Sequence, residues 1–155
     1  MQRMSKQGEQ LAGHFLAHRK ATIDAAGRFP ADKLDYRPWP DAMSVGDLIW
    51  HMAGAHHMFV QLALGNAPQG ERPQRPADLD GIRAALAQLT EGDAAALRAM
   101  TEEQLATPRP GIMNMTLPAS QWLATACDHE IHHKGQLMLY GRLNGIEPPF
   151  FVARG

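Results

Sequence analysis

The amino-acid sequence predicts an all-α protein, a four-helix bundle in which long loops follow the first and third helices. Four segments of the 155-residue chain place apolar residues three and four positions apart, which is the helical period. Prolines and glycines are concentrated between these segments, where they end helices. A chain of this length can bury one core, so we expect a single domain over residues 1–155.

The first predicted helix spans about residues 4–26, and Gly27 followed by Pro30 marks its end. Three prolines between residues 30 and 40 disfavour a helix in the connection that follows. We therefore expect a structured loop there, packed by Trp39. The connection is long enough to cross over the bundle, which leaves the helix order open. The apolar stripe of the first helix consists of Leu11, Phe15 and Ile23.

The second predicted helix begins at Ser44 and extends to about Leu64. Ser44 with Asp47 three residues later resembles a capping box in which Asp replaces Glu. The turn Gly65-Asn66-Ala67-Pro68 then ends the helix.

The third predicted helix spans about residues 79–100 and carries Ile82, Leu86 and Leu89 on one face. Two prolines and a glycine between Thr107 and Leu117 predict a loop or a short hairpin. The fourth helix begins near Pro118, a residue that suits a first helical turn, and ends at Asn144-Gly145.

Net charge and cysteine content limit the classes of function that the protein can have. The net charge is −1 and the arginines are scattered, so we expect no nucleic-acid partner. Cys127 is the single cysteine, which excludes an internal disulfide. The N-terminus lacks the long apolar run of a signal peptide or membrane span, so we expect a cytoplasmic protein that does not enter a membrane.

Two histidines on the fourth predicted helix indicate a metal site. His129 and His133 are four residues apart, so they project from one face about 6 Å apart along the axis. They share that face with Trp122, Leu137 and Tyr140, so both point into the bundle. One metal ion would satisfy both imidazoles, and hydrogen bonds to other buried side chains are the alternative.

A third ligand would come from another helix, and the second helix offers two candidates. His51 and His56 flank its apolar arc on opposite sides, and periodicity alone does not choose between them. Asp47 lies one turn before His51 and could fix the tautomer of that ring, or it could simply favour the helix dipole. His57 falls on the polar side and is expected to be solvated.

Other polar residues have simpler interpretations. His14 and His18 repeat the four-residue spacing but lie beside the apolar stripe of the first helix, which predicts surface or boundary positions. His132 and Lys134 lie off the metal-facing arc and are expected to face solvent or a group around the site.

Two residues near the histidine pair are candidates for chemistry. Glu130 lies on the flank of the metal-facing arc, where it is either a proton acceptor or a plain surface residue. Cys127 faces away from that arc, which favours buried packing over nucleophilic chemistry.

Two separated motifs carry a family resemblance. The first combines Leu34-Asp35-Tyr36-Arg37-Pro38 with Ser44-Val45-Gly46-Asp47-Leu48-Ile49-Trp50-His51-Met52-Ala53. The second combines His129-Glu130-Ile131-His132-His133-Lys134-Gly135-Gln136-Leu137 with Tyr140-Gly141-Arg142-Leu143-Asn144-Gly145 and Pro148-Pro149. In order and spacing these motifs resemble the DinB/YfiT-like family of damage-inducible, metal-dependent four-helix bundles.

The resemblance implies a divalent metal held by His51, His129 and His133, with nickel or zinc as the expected ion. It also implies a homodimer and a small-molecule substrate. The expected reaction is transfer of a low-molecular-weight thiol or metal-dependent hydrolysis, with thiol transfer slightly favoured. A noncatalytic protein, in which the metal stabilises the bundle or senses a ligand or stress, is the alternative.

Overall fold

The computed structural model describes residues 4–66 and 71–154. The main elements are five α-helices and one two-stranded antiparallel hairpin, and single 3-10 turns lie at Ala31–Lys33 and Ile112–Asn114. In chain order the helices and strands are α1 (Lys6–Gly27), α2 (Val45–Leu64), α3 (Leu79–Ala99), α4 (Glu102–Ala106), β1 (Pro108–Pro110), β2 (Thr116–Pro118) and α5 (Ala119–Leu143).

The helix ends follow local chemistry. The Ser44 hydroxyl accepts a hydrogen bond from the Asp47 backbone N–H at 3.0 Å, which confirms the predicted start of α2. Only half of the capping box forms, because the Asp47 carboxylate pairs instead with Arg37 and Arg75, both at 3.4 Å. Gly65 ends α2 in the left-handed conformation with φ +83°. Ala67 and Pro68 lie outside the described residues.

The sequence prediction missed one short helix. It ended the third helix at Met100 and assigned no structure to the residues before Thr107, where α4 forms. A complete capping box starts α4: the Thr101 hydroxyl accepts from the Gln104 backbone N–H, and the Gln104 side chain accepts from the Thr101 N–H. The next segment is the short hairpin rather than a plain loop, with Pro108 opposite Pro118.

The four long helices form the bundle with α1 and α2 at diagonal corners. Both α1 and α2 pack against α3 and against α5. The first connection therefore crosses the bundle, as its length allowed. Because α2 packs along α5, residues of these two helices can meet inside the bundle. This contact positions the candidate site.

The long connection is anchored differently from the prediction. Trp39 is 56% exposed, so the expectation that it packs the loop is wrong. Tyr36 packs against the core instead, and its ring meets that of Tyr140 edge-on. The Tyr140 hydroxyl also donates a hydrogen bond to the Met43 carbonyl. The rings of Tyr36 and Tyr140 thus anchor the loop in place of Trp39, which lies among prolines and is exposed to solvent.

Within the described ranges, every helix is too short or too polar to cross a membrane.

Candidate metal centre

Three imidazoles converge where α2 packs against α5. The Nε2 atom of His51 lies 3.0 Å from Nε2 of His129 and 3.2 Å from Nε2 of His133. All three rings are half-buried, and their ligand atoms lie within 4.8 Å of one another. Within residues 4–66 and 71–154, this is the one group of three or more potential ligands close enough to hold a metal ion.

The donor set fits a divalent transition metal. Two nitrogens that are each about 2.1 Å from one ion lie at most about 4.2 Å apart. The separations of 3.0 Å and 3.2 Å to His51 satisfy this limit, and the third pair, His129 and His133, lies within 4.8 Å. Neutral imidazole is a common ligand for zinc, nickel, copper and iron. His51, His129 and His133 could therefore hold one such ion from two helices.

Tertiary packing separates the two candidates on α2. His51 faces α5, whereas the His56 ring is buried and stacks on Phe15 of α1 with centroids 3.6 Å apart. Nδ1 of His56 pairs with the buried Asp93 carboxylate at 3.1 Å. His57 pairs with the other oxygen of Asp93 at 2.8 Å, so it is solvated on one side only. His56 is thus a core histidine with a carboxylate partner.

The surroundings keep two of the three imidazoles neutral. Burial, together with the neighbouring His133 and His51, lowers the pKa of His129 to about 4. Burial, His133 and the Arg72 guanidinium also lower the pKa of His51. At neutral pH these rings therefore present lone pairs, which is the form that binds metal ions.

One residue that fixes a ligand ring was not predicted. The Gln136 side-chain oxygen lies 2.7 Å from Nδ1 of His133. An amide oxygen can only accept, so Nδ1 carries the proton and Nε2 keeps its lone pair. The three-residue spacing on a helix was the available signal. The candidate for such a role, Asp47, is held in its ion pairs with Arg37 and Arg75.

The alternative in which Glu130 is a plain surface residue is wrong. Its side chain is 1% exposed and lies between α5 and α1. Both carboxylate oxygens accept hydrogen bonds, one from Arg19 and the other from Arg19 and Thr22. Burial by itself would raise the pKa of Glu130, but the charge and hydrogen bonds of Arg19, with the Thr22 hydroxyl, hold it below its ordinary value. Glu130 is a buried ion-pair partner.

Two further polar residues lie deeper than predicted. Lys134 is buried, and its ammonium donates to Nδ1 of His18 at 2.7 Å and to the Phe151 carbonyl. His18 is buried as well, whereas His14 and His132 are exposed as expected. The C-terminal segment packs over this side of α5. A helical wheel shows the directions of side chains around one helix and takes no account of other segments that pack against it.

The prediction that Cys127 is buried is confirmed. Cys127 is buried, and burial raises the pKa of its thiol to about 12. The buried Trp122 ring stacks on Phe59, and the Phe59 ring lies 6.4 Å from that of His129. These two aromatic rings form an apolar wall on one side of the imidazole cluster.

Comparison with known proteins decides the family. The sequence model of the DinB family matches residues 4–154. The chain belongs to the DinB family. Its fold is a DinB-like four-helix bundle. His51, His129 and His133 form a cluster inside it that could hold a metal ion.

Similar proteins cover nearly the whole chain. The uncharacterized protein YjoA of Bacillus subtilis (strain 168) is 32% identical over 152 residues, which are 96% of this chain and 98% of YjoA. The crystal structure of YjoA, described as DinB-like, matches with a TM-score of 0.81 at 30% identity, covering 94% of this chain and 99% of that one.

A more distant structure shares the fold. Bacillus subtilis YfiT, described as a probable metal-dependent hydrolase with an unusual four-helix bundle topology, matches with a TM-score of 0.71 at 18% identity. The match covers 95% of this chain and 93% of YfiT.

Proposed function

We propose that this DinB family protein is a metal-dependent hydrolase that binds one divalent ion through His51, His129 and His133. The convergence of the three Nε2 atoms carries the proposal. Nδ1 of His133 donates a hydrogen bond to Gln136, so in this tautomer Nε2 can only accept. Nε2 of His51 has at most one proton for its two neighbours, which lie at 3.0 Å and 3.2 Å. Hydrogen bonding among the rings therefore leaves one nitrogen without a ring partner, whereas one cation would bind all three.

The protein groups around the cluster suit an open catalytic site. Three imidazoles leave coordination positions free, and an ion bound there would lower the pKa of a water or thiol towards neutrality. Gln136 orients His133, and the low pKa values of His51 and His129 keep their nitrogens available. Phe59 and Trp122 keep one side of the cluster apolar, which restricts water there.

Hydrolysis is the reaction that we place first. The sequence resemblance slightly favoured transfer of a low-molecular-weight thiol, and that reaction is the alternative. YfiT, which shares the fold, is described as a probable metal-dependent hydrolase. We therefore assign water as the nucleophile, and thiol transfer is tested in the same assays.

Metal analysis of protein purified without an affinity tag tests the site. We expect about one divalent ion per chain in the wild type and none in His51→Ala or His133→Ala. His14→Ala is the matched control, because His14 is exposed on α1 and should leave the metal content unchanged. A wild type that stays empty when offered zinc and nickel would overturn the proposal.

Activity assays on the metal-loaded protein separate the reactions. Release of product from ester, amide or phosphate substrates without added thiol supports hydrolysis. Product formation that requires an added thiol supports transfer instead. A bound ion that raises the melting temperature while both panels stay inactive would favour the noncatalytic alternative.

We also propose nickel or zinc as the bound ion, a homodimer as the assembly and the cytoplasm as the location. Exposed apolar side chains near the C-terminus support self-association, because such patches often mark interfaces. Sedimentation of the wild type and of Leu139→Glu tests the dimer, and a monomeric wild type would exclude it. The exposed apolar residues of this patch are Leu139, Leu143, Phe150 and Phe151.

A further inference from the structure

An arginine that is completely buried connects all four long helices. Arg19 on α1 has an exposed side-chain fraction of 0%. Its Nε and Nη2 atoms donate to the two oxygens of Glu130 on α5, at 2.9 Å and 2.8 Å. Nη2 also donates to the Met52 carbonyl on α2 at 3.3 Å, and Nη1 donates to the Thr90 hydroxyl on α3 at 3.2 Å. Each nitrogen of the guanidinium thus has a partner.

Two of these partners adjoin metal-ligand candidates in the chain. Met52 follows His51 on α2, and Glu130 follows His129 on α5. The Arg19 guanidinium is planar and rigid, so its contacts fix the distance between the two helices at this level. His51 and His129 leave the same level of the two helices and meet with their Nε2 atoms 3.0 Å apart.

Stability alone is a poor reason for such an arrangement. Burying two charges costs solvation energy, and well-packed apolar residues often give equal or greater stability. Thr22 and Thr90 further restrict the geometry, since each hydroxyl bonds one member of the Arg19–Glu130 pair. In some proteins, networks of this kind specify one arrangement of helices more strongly than an apolar contact does.

We infer that Arg19 is a positioning residue that holds α2 and α5 at the separation at which His51 and His129 can share one ion. The inference rests on the proposed metal site for its functional meaning. The distance between the imidazoles of His51 and His129, which Arg19 is inferred to set, can be measured with or without a metal.

The first test compares metal affinity with stability. We expect Arg19→Gln to weaken divalent metal binding about 10- to 100-fold in competition with a chelator, which is typical for residues that support ligands. Arg83→Gln is the matched control, because Arg83 also bonds backbone carbonyls, those of Ala26 and Phe29, but does so away from the ligand-bearing helices. It should lower the melting temperature while keeping wild-type affinity.

A milder variant covers the case in which Arg19→Gln fails to fold. Arg19→Lys keeps the charge but loses the planar fork, so it cannot reach Met52 and both oxygens of Glu130 together. We expect it to fold and to bind zinc or nickel more weakly than the wild type. If Arg19→Lys binds metal as tightly as the wild type, the inference fails. It also fails if the Arg19 and Arg83 variants, compared at equal stability, lose the same amount of metal affinity.

Crystal structures of the metal-free proteins provide the second test. The 3.0 Å separation of the His51 and His129 Nε2 atoms should persist in the wild type and in Arg83→Gln. In Arg19→Lys it should change by more than about 0.5 Å, the tolerance of a working site. An unchanged separation would refute the role of Arg19. If the wild type binds no metal, the proposed function fails, but this comparison still decides the role of Arg19.

Discussion

Nδ1 of His133 donates a hydrogen bond to the side-chain oxygen of Gln136, one helical turn further along α5, at 2.7 Å. This contact determines which nitrogen of His133 carries the proton, and it turns the other nitrogen towards His51 and His129. A residue that touches no metal ligand atom directly can therefore control the chemistry of the cluster.

Replacement of Gln136 by Leu should weaken metal binding about 10- to 100-fold, because the His133 ring loses its tautomer control and its orientation. The melting temperature of the metal-free protein should change little, since Gln136 is only half-buried. Chelator competition measures the affinity. Gln121→Leu, an exposed position on the same helix, is the control and should bind as the wild type does. Equal affinity in Gln136→Leu would remove Gln136 from the site.

The Glu130→Leu variant should lose about 3 to 5 kcal/mol of unfolding free energy, because it leaves the Arg19 charge buried without its partner. The double variant Arg19→Met/Glu130→Leu should recover much of this loss, since no charge is then buried. Urea denaturation of the wild type, both single variants and the double variant gives the coupling energy. If the double variant loses as much unfolding free energy as the two single variants together, Arg19 and Glu130 are not coupled.

The metal-free protein should lose stability as the pH falls below about 6.5, in part through His56. Burial lowers the pKa of His56 below 6.5, and the nearby Arg19 charge adds to this, against the opposing effects of Asp93 and Glu130. The unfolded chain therefore binds a proton at a higher pH than the folded protein does. The resulting penalty begins near pH 6.5 and grows until the folded pKa is reached.

His56→Phe removes this proton and keeps a ring against Phe15. The unfolding free energy of the variant, measured from pH 8 to pH 5, should therefore fall less steeply than that of the wild type. His14→Phe is the control, because His14 is exposed, and its profile should parallel the wild type. If the unfolding free energies of His56→Phe and wild type fall equally steeply with pH, His56 does not contribute to the loss of stability.

Cys127 should resist thiol reagents in the native protein. A pKa of about 12 leaves roughly one thiolate in 10⁵ molecules at pH 7, and the side chain is buried. Ellman's reagent should therefore react only at the rate of unfolding. Cys127→Ala should keep the metal content and any hydrolytic activity of the wild type. Rapid labelling of the folded protein, or loss of activity in the variant, would argue for a chemical role.

Much of the fold was predictable because its determinants are local. The apolar spacing along each helix, the Ser44 hydroxyl at the start of α2 and the turn at Gly145 depend on residues within a few positions of one another. The short helix α4 was missed although Thr101 and Gln104 form a complete capping box. Its five residues carry too little apolar periodicity to register as a helix.

The sequence by itself determined four helices, the inward face shared by His129 and His133, and the family motif that includes His51. Tertiary structure alone decided that His51 faces α5 while His56 meets Phe15, because a wheel gives directions around one axis and not the identity of the neighbouring helix.

The same limit explains the errors at Glu130 and Lys134. A long polar side chain on the flank of a helix is solvated unless another element covers it with complementary groups. Here Arg19, more than a hundred residues away in the chain, covers Glu130, and the C-terminal segment covers Lys134. Arg19 and Glu130 meet only when the bundle closes, and Phe151 reaches Lys134 only when the chain folds back after α5.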